Sequence, residues 1–347
     1  MSGPAGIGFA IPGDLETISG GYAYDRRLIA EAAALGRALQ PIRLTDAFPD
    51  PSVADLAETR RRLAAHPGPL LIDGLAFGAF DGATAAAVGG RTVALVHHPL
   101  CLEDGLSAAR AAILEESERA ALAQARGVVV TSRATARLVA EMFGVPPERI
   151  AVAEPGVDRA PRSAADGDPP TLLAVGAVIP RKGYDLLIAA LSRLADAPWR
   201  LEIVGPTGRA PEHESALRAA VAAAGLEGRV RFAGALPPAA LDRAYASADL
   251  FIAPARFEGY GMAAAEALVR GLPVVAGRGG ALGDTAAAGV LVDPEDAEGF
   301  AAALRPLLAD KARRRAAAER SWRAGAALPR WSDTASRALA ALERFLD

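Results

Sequence analysis

Short apolar runs of three to six residues alternate with longer alanine-rich stretches along this 347-residue chain, and few architectures can bury such a pattern. Runs at 6–11, 70–72, 92–96, 127–131 and 150–153 are followed, after a break, by others at 171–175, 200–204, 230–233, 250–253, 273–276 and 290–292. Runs that are apolar without polar alternation belong to strands covered on both faces. The stretches between them, including 23–37, 115–125, 184–195, 213–224 and 238–246, have helical spacing. Strands alternating with helices predict parallel sheets packed between helical layers, an α/β fold. The length suits two such domains better than one.

The break falls at Arg159 to Pro170, where proline and glycine sit among Ser, Ala, Asp and Arg, and it reads as an exposed linker. The expected division is a first domain at 1–160, a linker at 161–170 and a second domain at 171–327. A last helix at 328–347, after a proline break, could cross back onto the first domain. Two open α/β sheets joined this way are expected to face a central cleft with their carboxyl ends, where such sheets bind ligands.

Several classes drop out on bulk properties. A net charge of −3, with no basic tail or aromatic-interleaved basic stripe, gives no reason to expect nucleic acid. No apolar run approaches the ~18 residues needed to cross a bilayer, which leaves peripheral membrane contact open. Met1-Ser2-Gly3-Pro4 lacks the charged and apolar regions of a signal peptide. The single Cys101 rules out an internal disulfide framework or a cysteine metal site. Cytoplasmic residence is the default. Lysine occurs only at 182 and 311, so Lys182 is a residue to weigh.

The chemistry concentrates in the second half. After the run at 250–253 come Phe257-Glu258-Gly259-Tyr260-Gly261-Met262-Ala263-Ala264-Ala265-Glu266. A strand, a glycine turn and a helix in that order aim free backbone N–H groups at an anion. Two carboxylates, Glu258 in the turn and Glu266 in the second helical turn, can face the same ligand and accept from hydroxyls. Phosphate beside hydroxyls describes a nucleotide-sugar. Val175-Gly176-Ala177-Val178-Ile179-Pro180-Arg181-Lys182-Gly183 repeats the strand–turn–helix logic, with two cations at a helix start, which suits a diphosphate. Val96-His97-His98-Pro99 ends an apolar run, but no third ligand sits at metal spacing. Asp166-Gly167-Asp168 lies in the linker with no strand before it. Gly3-Pro4-Ala5-Gly6-Ile7-Gly8 precedes the first strand, where a dinucleotide fingerprint would follow it, so neither reads as a site.

These residues resemble the C-terminal domain of the retaining GT-B glycosyltransferases of family 4, the group 1 transferases. The likeness runs from Leu172 to about Leu308 and rests on the Gly176…Lys182-Gly183 element and on Val230-Arg231-Phe232-Ala233-Gly234-Ala235-Leu236. It also rests on Ala246–Pro254, the Glu258–Glu266 motif and Gly271–Gly280. The resemblance implies two Rossmann-like domains with the donor held mainly by the second. By position, Arg181 and Lys182 would meet the diphosphate, Glu258 the hydroxyls of the donor sugar, and Glu266 the ribose. The backbone from Gly259 and Gly261 through Met262 and Ala263 would hold the distal phosphate or sugar, and the turn around Gly234 would border the base.

In the first half, Ser19-Gly20-Gly21-Tyr22 matches the family's glycine-rich loop, so Gly21 is implied in donor binding, and His97 is implied beside the reacting sugar. Two departures stand out: Ala177 replaces a customary arginine, and Gly283-Asp284 replaces a customary Pro-Glu pair.

The resulting expectation is a metal-independent retaining transfer of a hexose-type sugar from a nucleoside-diphosphate sugar to an acceptor hydroxyl. No resident cofactor is expected, and the acceptor would be a small molecule, a glycan or a lipid-linked species. Glycosidase logic would make Glu258 a nucleophile. The resemblance instead implies front-face transfer, with the departing phosphate taking the acceptor's proton. A non-catalytic nucleotide-sugar-binding protein and another GT-B enzyme, such as an epimerase or a phosphorylase, remain alternatives.

Overall fold

The computed structural model describes residues 6–347. Residues 1–5, which carry the signal-peptide reading and half of the Gly3–Gly8 run, lie outside the described residues. The polypeptide divides into two compact units, one made of residues 1–156 and 329–347 and the other of 157–328.

The first unit holds six parallel strands: β1 (Ile7–Pro12), β2 (Leu39–Leu44), β3 (Leu70–Asp73), β4 (Thr92–Val96), β5 (Gly127–Val130) and β6 (Ile150–Val152), in the order β2-β1-β3-β4-β5-β6. The second unit holds six more: β7 (Thr171–Val175), β8 (Arg200–Val204), β9 (Val230–Gly234), β10 (Leu250–Ala253), β11 (Val274–Gly277) and β12 (Val290–Val292). Their order is β12-β11-β10-β7-β8-β9. The pairings within both sheets are parallel.

The second unit therefore has the doubly wound dinucleotide-binding order, and the first has the flavodoxin-like variant. In each, the chain leaves its first strand toward one side and later returns on the other. That creates a switch point between β1 and β3 in the first unit and between β7 and β10 in the second. The crevice outside the carboxyl ends of those strands is where such sheets bind ligands.

The cores follow from the apolar runs. Leu70, Ile72, Ala94, Val128 and Val130 pack with Phe77, Val88 and Phe143 in the first unit. Leu172, Leu201, Ile203, Ile252 and Val275 pack with Leu187, Trp199 and Phe300 in the second.

Three features differ from expectation. Strand β2 was not anticipated from its sequence, Leu39-Gln40-Pro41-Ile42-Arg43-Leu44. It is an edge strand, and only an edge tolerates a proline and outward polar groups in this way. The helix expected at 115–125 begins earlier, spanning Ala108–Gln124, because Ser107 caps it by accepting from the Arg110 amide.

Residues 161–170 are exposed in part, at Pro161, Arg162, Ala164, Asp166 and Asp168, but the segment is anchored. Ser163 and Ala165 are buried, and the Ser163 hydroxyl donates to Ala248 O at 2.7 Å. Asp249 accepts from the Gly167 amide at 2.6 Å and the Thr171 amide at 2.7 Å, and Lys311 Nζ donates to Asp166 O at 3.0 Å. The segment is stitched along the second unit. In the first unit, the helix Trp331–Leu346 packs through Thr334, whose hydroxyl donates to Glu154 O at 2.7 Å, and through Arg126, which donates to Phe345 O at 2.9 Å.

Candidate functional site

In the second unit, the loops leaving β7 and β10 meet at the switch point. After β7, a short turn at Pro180–Lys182 leads through Gly183 into the helix Tyr184–Ser192. The stem of Lys182 lies over Gly176, where a Cβ would stand 2.8 Å from Lys182 Cε. Its ammonium contacts Glu258 Oε1 from the loop after β10, and Arg181 Nη1 lies 3.7 Å from Glu258 Oε2. Arg181 also donates to Phe257 O at 3.0 Å. The Glu258 and Lys182 side chains are only 15 % and 19 % exposed, so the contact is largely withdrawn from water.

The loop itself is fixed by its backbone. Glu258 pairs with Gly280 in an isolated parallel bridge, and its carbonyl accepts from the Ala281 amide at 2.8 Å. Gly259 and Tyr260 then lead to Gly261, which stands at φ +93° as the N-cap of the helix Met262–Val269. That φ disfavours any L side chain, and a Cβ there would meet Leu282 Cδ2 at 2.6 Å. Gly261 offers no side-chain cap, so the amides of the first turn, Met262 and Ala263, keep no side-chain acceptor. An uncapped helix start of this kind has the partial positive charge that suits an anion.

Glu266 sits in the second turn of this helix, partly buried. Burial pushes its carboxyl up, while a hydrogen bond from the Tyr245 hydroxyl and the charge of Arg270 work the other way. The one Tyr245 proton is shared between Glu266 and Ala263 O, which lies 3.1 Å from the hydroxyl, and Arg270 stacks over the ring at 4.6 Å. Gly234 stands apart at the end of β9, two strands from β7, where its carbonyl accepts from the Gly205 amide at 2.9 Å.

One structural residue escaped the sequence reading. Arg256 binds the Asp185 carboxylate through two nitrogens at 2.8 and 2.7 Å and donates to Pro180 O at 2.7 Å. It also pairs with Glu295, and its amide donates to Arg181 O at 2.8 Å. Despite partial burial, the Arg256 guanidinium holds the Asp185 carboxyl below its usual range. Arg256 thereby fastens the turn that carries Arg181 and Lys182. Its position two residues before Glu258 was the available signal.

The first unit places Gly21 and His97 together at its own switch point. A Cβ on Gly21 would lie 3.3 Å from His97 Cδ2 and 3.5 Å from Nε2. The sequence offered no third group near His97 because the partners are distant in the chain. Asp25, from the helix Gly20–Ala34, approaches His97 Nε2 at 3.2 Å, and Asp73, at the end of β3, approaches it at 3.6 Å. Their ligand-type atoms lie within 4.8 Å of one another, and among the described residues this is the group of carboxylates and imidazole so gathered. His98 points elsewhere, to Glu103 at 2.5 Å.

Comparison with known proteins follows the same division. Residues 158–323 match the family described as glycosyl transferases group 1, and residues 23–160 match Glycosyltransferase Family 4. A D-inositol 3-phosphate glycosyltransferase of Kineococcus radiotolerans is 33 % identical over 247 residues, covering 62 % of this chain and 57 % of that protein. The chain spans about half the length of the curated relatives it matches. Among solved structures, sucrose-phosphate synthase from Thermosynechococcus elongatus superposes with a TM-score of 0.82 at 22 % identity, over 98 % of each chain. Anabaena HepE in complex with UDP and glucose gives 0.76 at 18 % identity, over 98 % of this chain and 100 % of that one. These likenesses establish the GT-B fold. No helix among the described residues is long and apolar enough to cross a membrane.

Proposed function

The chain belongs to the group 1, family 4 glycosyltransferases, and from that membership we propose that it transfers a hexose-type sugar, with retention, from a nucleoside-diphosphate sugar to an acceptor hydroxyl. The observation that carries this reading is the meeting of Lys182, Arg181 and Glu258 beside the uncapped start of the helix Met262–Val269. Two cations and a row of first-turn amides suit a diphosphate. Carboxylates at Glu258 and Glu266 suit the hydroxyls on either side of it. One relative in fold, Anabaena HepE, was solved with UDP and glucose, which favours the same donor class here.

In the proposed step, the acceptor oxygen forms its bond to the anomeric carbon on the face from which the phosphate departs. The bond from that carbon to the phosphate oxygen breaks, and the departing phosphate takes the acceptor's proton. Lys182, Arg181 and the helix amides offset the charge that grows on the leaving diphosphate, the kind of preorganised electrostatic help that dominates many enzymes. Those groups supply what a divalent cation supplies elsewhere, so the donor site is proposed to work without a metal. Glu258, held by two cations, is a donor clamp and not a nucleophile.

A thermal-shift panel of UDP-, GDP-, ADP- and dTDP-sugars tests donor binding, since a ligand of the folded state raises apparent stability. One sugar nucleotide should stabilise the protein, and Glu258→Ala should keep the fold while losing transfer. Wild-type nucleotide release by Glu258→Ala would remove the site assignment, and loss of activity on EDTA treatment would remove the metal-free donor site.

A further inference from the structure

The first unit concentrates charge where its donor-binding role would not require it. His97 Nε2 faces two carboxylates at 3.2 and 3.6 Å, and both carboxylates are almost wholly withdrawn from water, with Asp25 0 % and Asp73 4 % exposed. One Asp25 oxygen, Oδ2, is buried without a hydrogen-bond partner. Two ionised carboxylates so close in a dry site are costly unless a cation lies between them.

The imidazole is also held mechanically. Its ring packs edge-on against Tyr24 at 5.3 Å, its backbone carbonyl accepts from the Thr131 hydroxyl at 3.2 Å, and Gly21 leaves the space that the ring fills. The Nε2 edge is therefore committed inward. About a fifth of the side chain remains exposed, and Nδ1 carries no hydrogen bond among the described residues.

We infer that Asp25 and Asp73 are positioning residues that hold His97 as an imidazolium, so that its second N–H is a fixed donor toward a sugar oxygen and never a base. This rests on the transferase reading above for the identity of the ligand, but not for the state of the ring. Three observations converge on it: the single nitrogen between two buried carboxylates, the packing that fixes the ring, and the location outside the carboxyl ends at the β1/β3 switch point.

The titratable groups around the ring come from each neighbouring element. Asp25 and Tyr24 come from the helix Gly20–Ala34 and Asp73 from β3. Tyr22 is also close, with Asp14 and Asp46 beyond it in the loops after β1 and β2. Burial of the ring disfavours its charged form, yet Asp25 first and Asp73 second outweigh that and raise its pKa to about 10. The charge on His97 in turn keeps Asp73 low against the effect of its own burial, while burial and the neighbouring Asp73 push Asp25 up.

The test is a pH titration of the histidine ring signals in protein labelled at histidine with nitrogen-15. Only four histidines are present, so a His97→Asn spectrum assigns the resonance. In the wild-type protein the His97 ring should remain an imidazolium through pH 8 and lose its proton only toward about 10. In Asp25→Asn and Asp73→Asn the midpoint should fall, and in the double variant it should approach the ordinary ~6.5. A wild-type ring that titrates near the ordinary value, or one whose midpoint is indifferent to both substitutions, overturns the inference. So does a ring that stays neutral and broadens on adding manganese alone, since the cluster would then be a cation site.

The wild-type titration is decisive even where a variant fails to fold. It reads no transfer, so it stands or falls separately from the proposed reaction. With an active donor–acceptor pair, Asp25→Asn and Asp73→Asn should lose turnover as pH rises through the lowered midpoint, while wild-type turnover should not.

Discussion

Replacing Lys182 by methionine separates what the Lys182–Glu258 contact does for stability from what it does for chemistry. Breaking a fully buried ion pair costs ~3–5 kcal/mol, because one charge is left unsolvated. Here Glu258 keeps 15 % of its side-chain exposure, and Arg181 remains 3.7 Å from its other oxygen. Water and a second cation therefore compensate much of the loss, and about 1–2 kcal/mol of stability should disappear. The chemistry should suffer more. Removing one preorganised charge from a developing anion typically lowers the rate ~10²–10³-fold, equivalent to about 3–4 kcal/mol.

The appropriate assays are denaturant unfolding and nucleoside-diphosphate release, run on Lys182→Met, Glu258→Gln and the double variant. The pair is in direct contact, so its stability effects should couple by ~0.5–3 kcal/mol, with the double variant more stable than the two single losses predict. The loss of kcat/KM should persist in the double variant, since the leaving phosphate still lacks its cation. Activity restored in the double variant would mean that Lys182 serves only to neutralise Glu258, and the leaving-group argument would fail.

Gly261→Ala should lower stability by roughly 1–3 kcal/mol and abolish donor-induced thermal stabilisation, because the new Cβ would stand 2.6 Å from Leu282 Cδ2 at a φ of +93°; unchanged melting would refute the strained-turn account. Arg256→Ala should raise the donor KM by loosening the Pro180–Lys182 turn while costing about 1–2 kcal/mol of stability, and a pure kcat defect would argue against that anchoring role. Glu118 is fully buried, accepts from the Leu100 amide at 2.8 Å, and is pushed by burial up to about 8. Since its folded pKa lies above the unfolded ~4.3, the stability linked to its proton is complete below that value and is lost as pH rises through about 8. Glu118→Gln should therefore match the wild-type protein near pH 4 and exceed it at pH 9 in denaturant unfolding; equal slopes between the two would refute the assignment.

Legibility in the sequence tracked how local each determinant was. Strands such as Thr92–Val96, Thr171–Val175 and Leu250–Ala253 announce themselves, since a run buried on both faces must be apolar throughout. Strand β2 hides because one side of it has no neighbour, so Pro41 and Arg43 are tolerated there. The segment 161–170 is only half exposed for a different reason. Proline and glycine mark irregular backbone, but irregular backbone need not be exposed when Asp249, Ser163 and Lys311 satisfy its polar groups. The second-unit loop around Glu258 was legible because its parts are consecutive in sequence, from the strand through Gly261 to Glu266.

The His97 cluster could not be read the same way. Asp25, Asp73 and His97 are separated by 48 and 24 positions, and no spacing rule links them. They meet because β3 and β4 are neighbours, and because the chain after β1 enters a helix that returns over the same carboxyl ends. The deciding information is the strand order, and it applies to both units. At the β7/β10 switch point the loops bring cations and free amides, which suit a phosphate. At the β1/β3 switch point they bring two carboxylates, which suit nothing anionic until His97 is counted among them. With His97 charged and its inward N–H committed, the first unit presents at this edge a cationic donor with the carboxylates of Asp14 and Asp46 exposed nearby and Arg26 tied to the carbonyls of Leu15 and Thr17. Such an edge favours hydroxyl oxygens over phosphates, because a phosphate would meet the carboxylates' field while a neutral hydroxyl would meet only the donor. Under the proposed transfer, phosphate contacts are therefore expected from the second unit and a sugar-hydroxyl contact from His97 of the first.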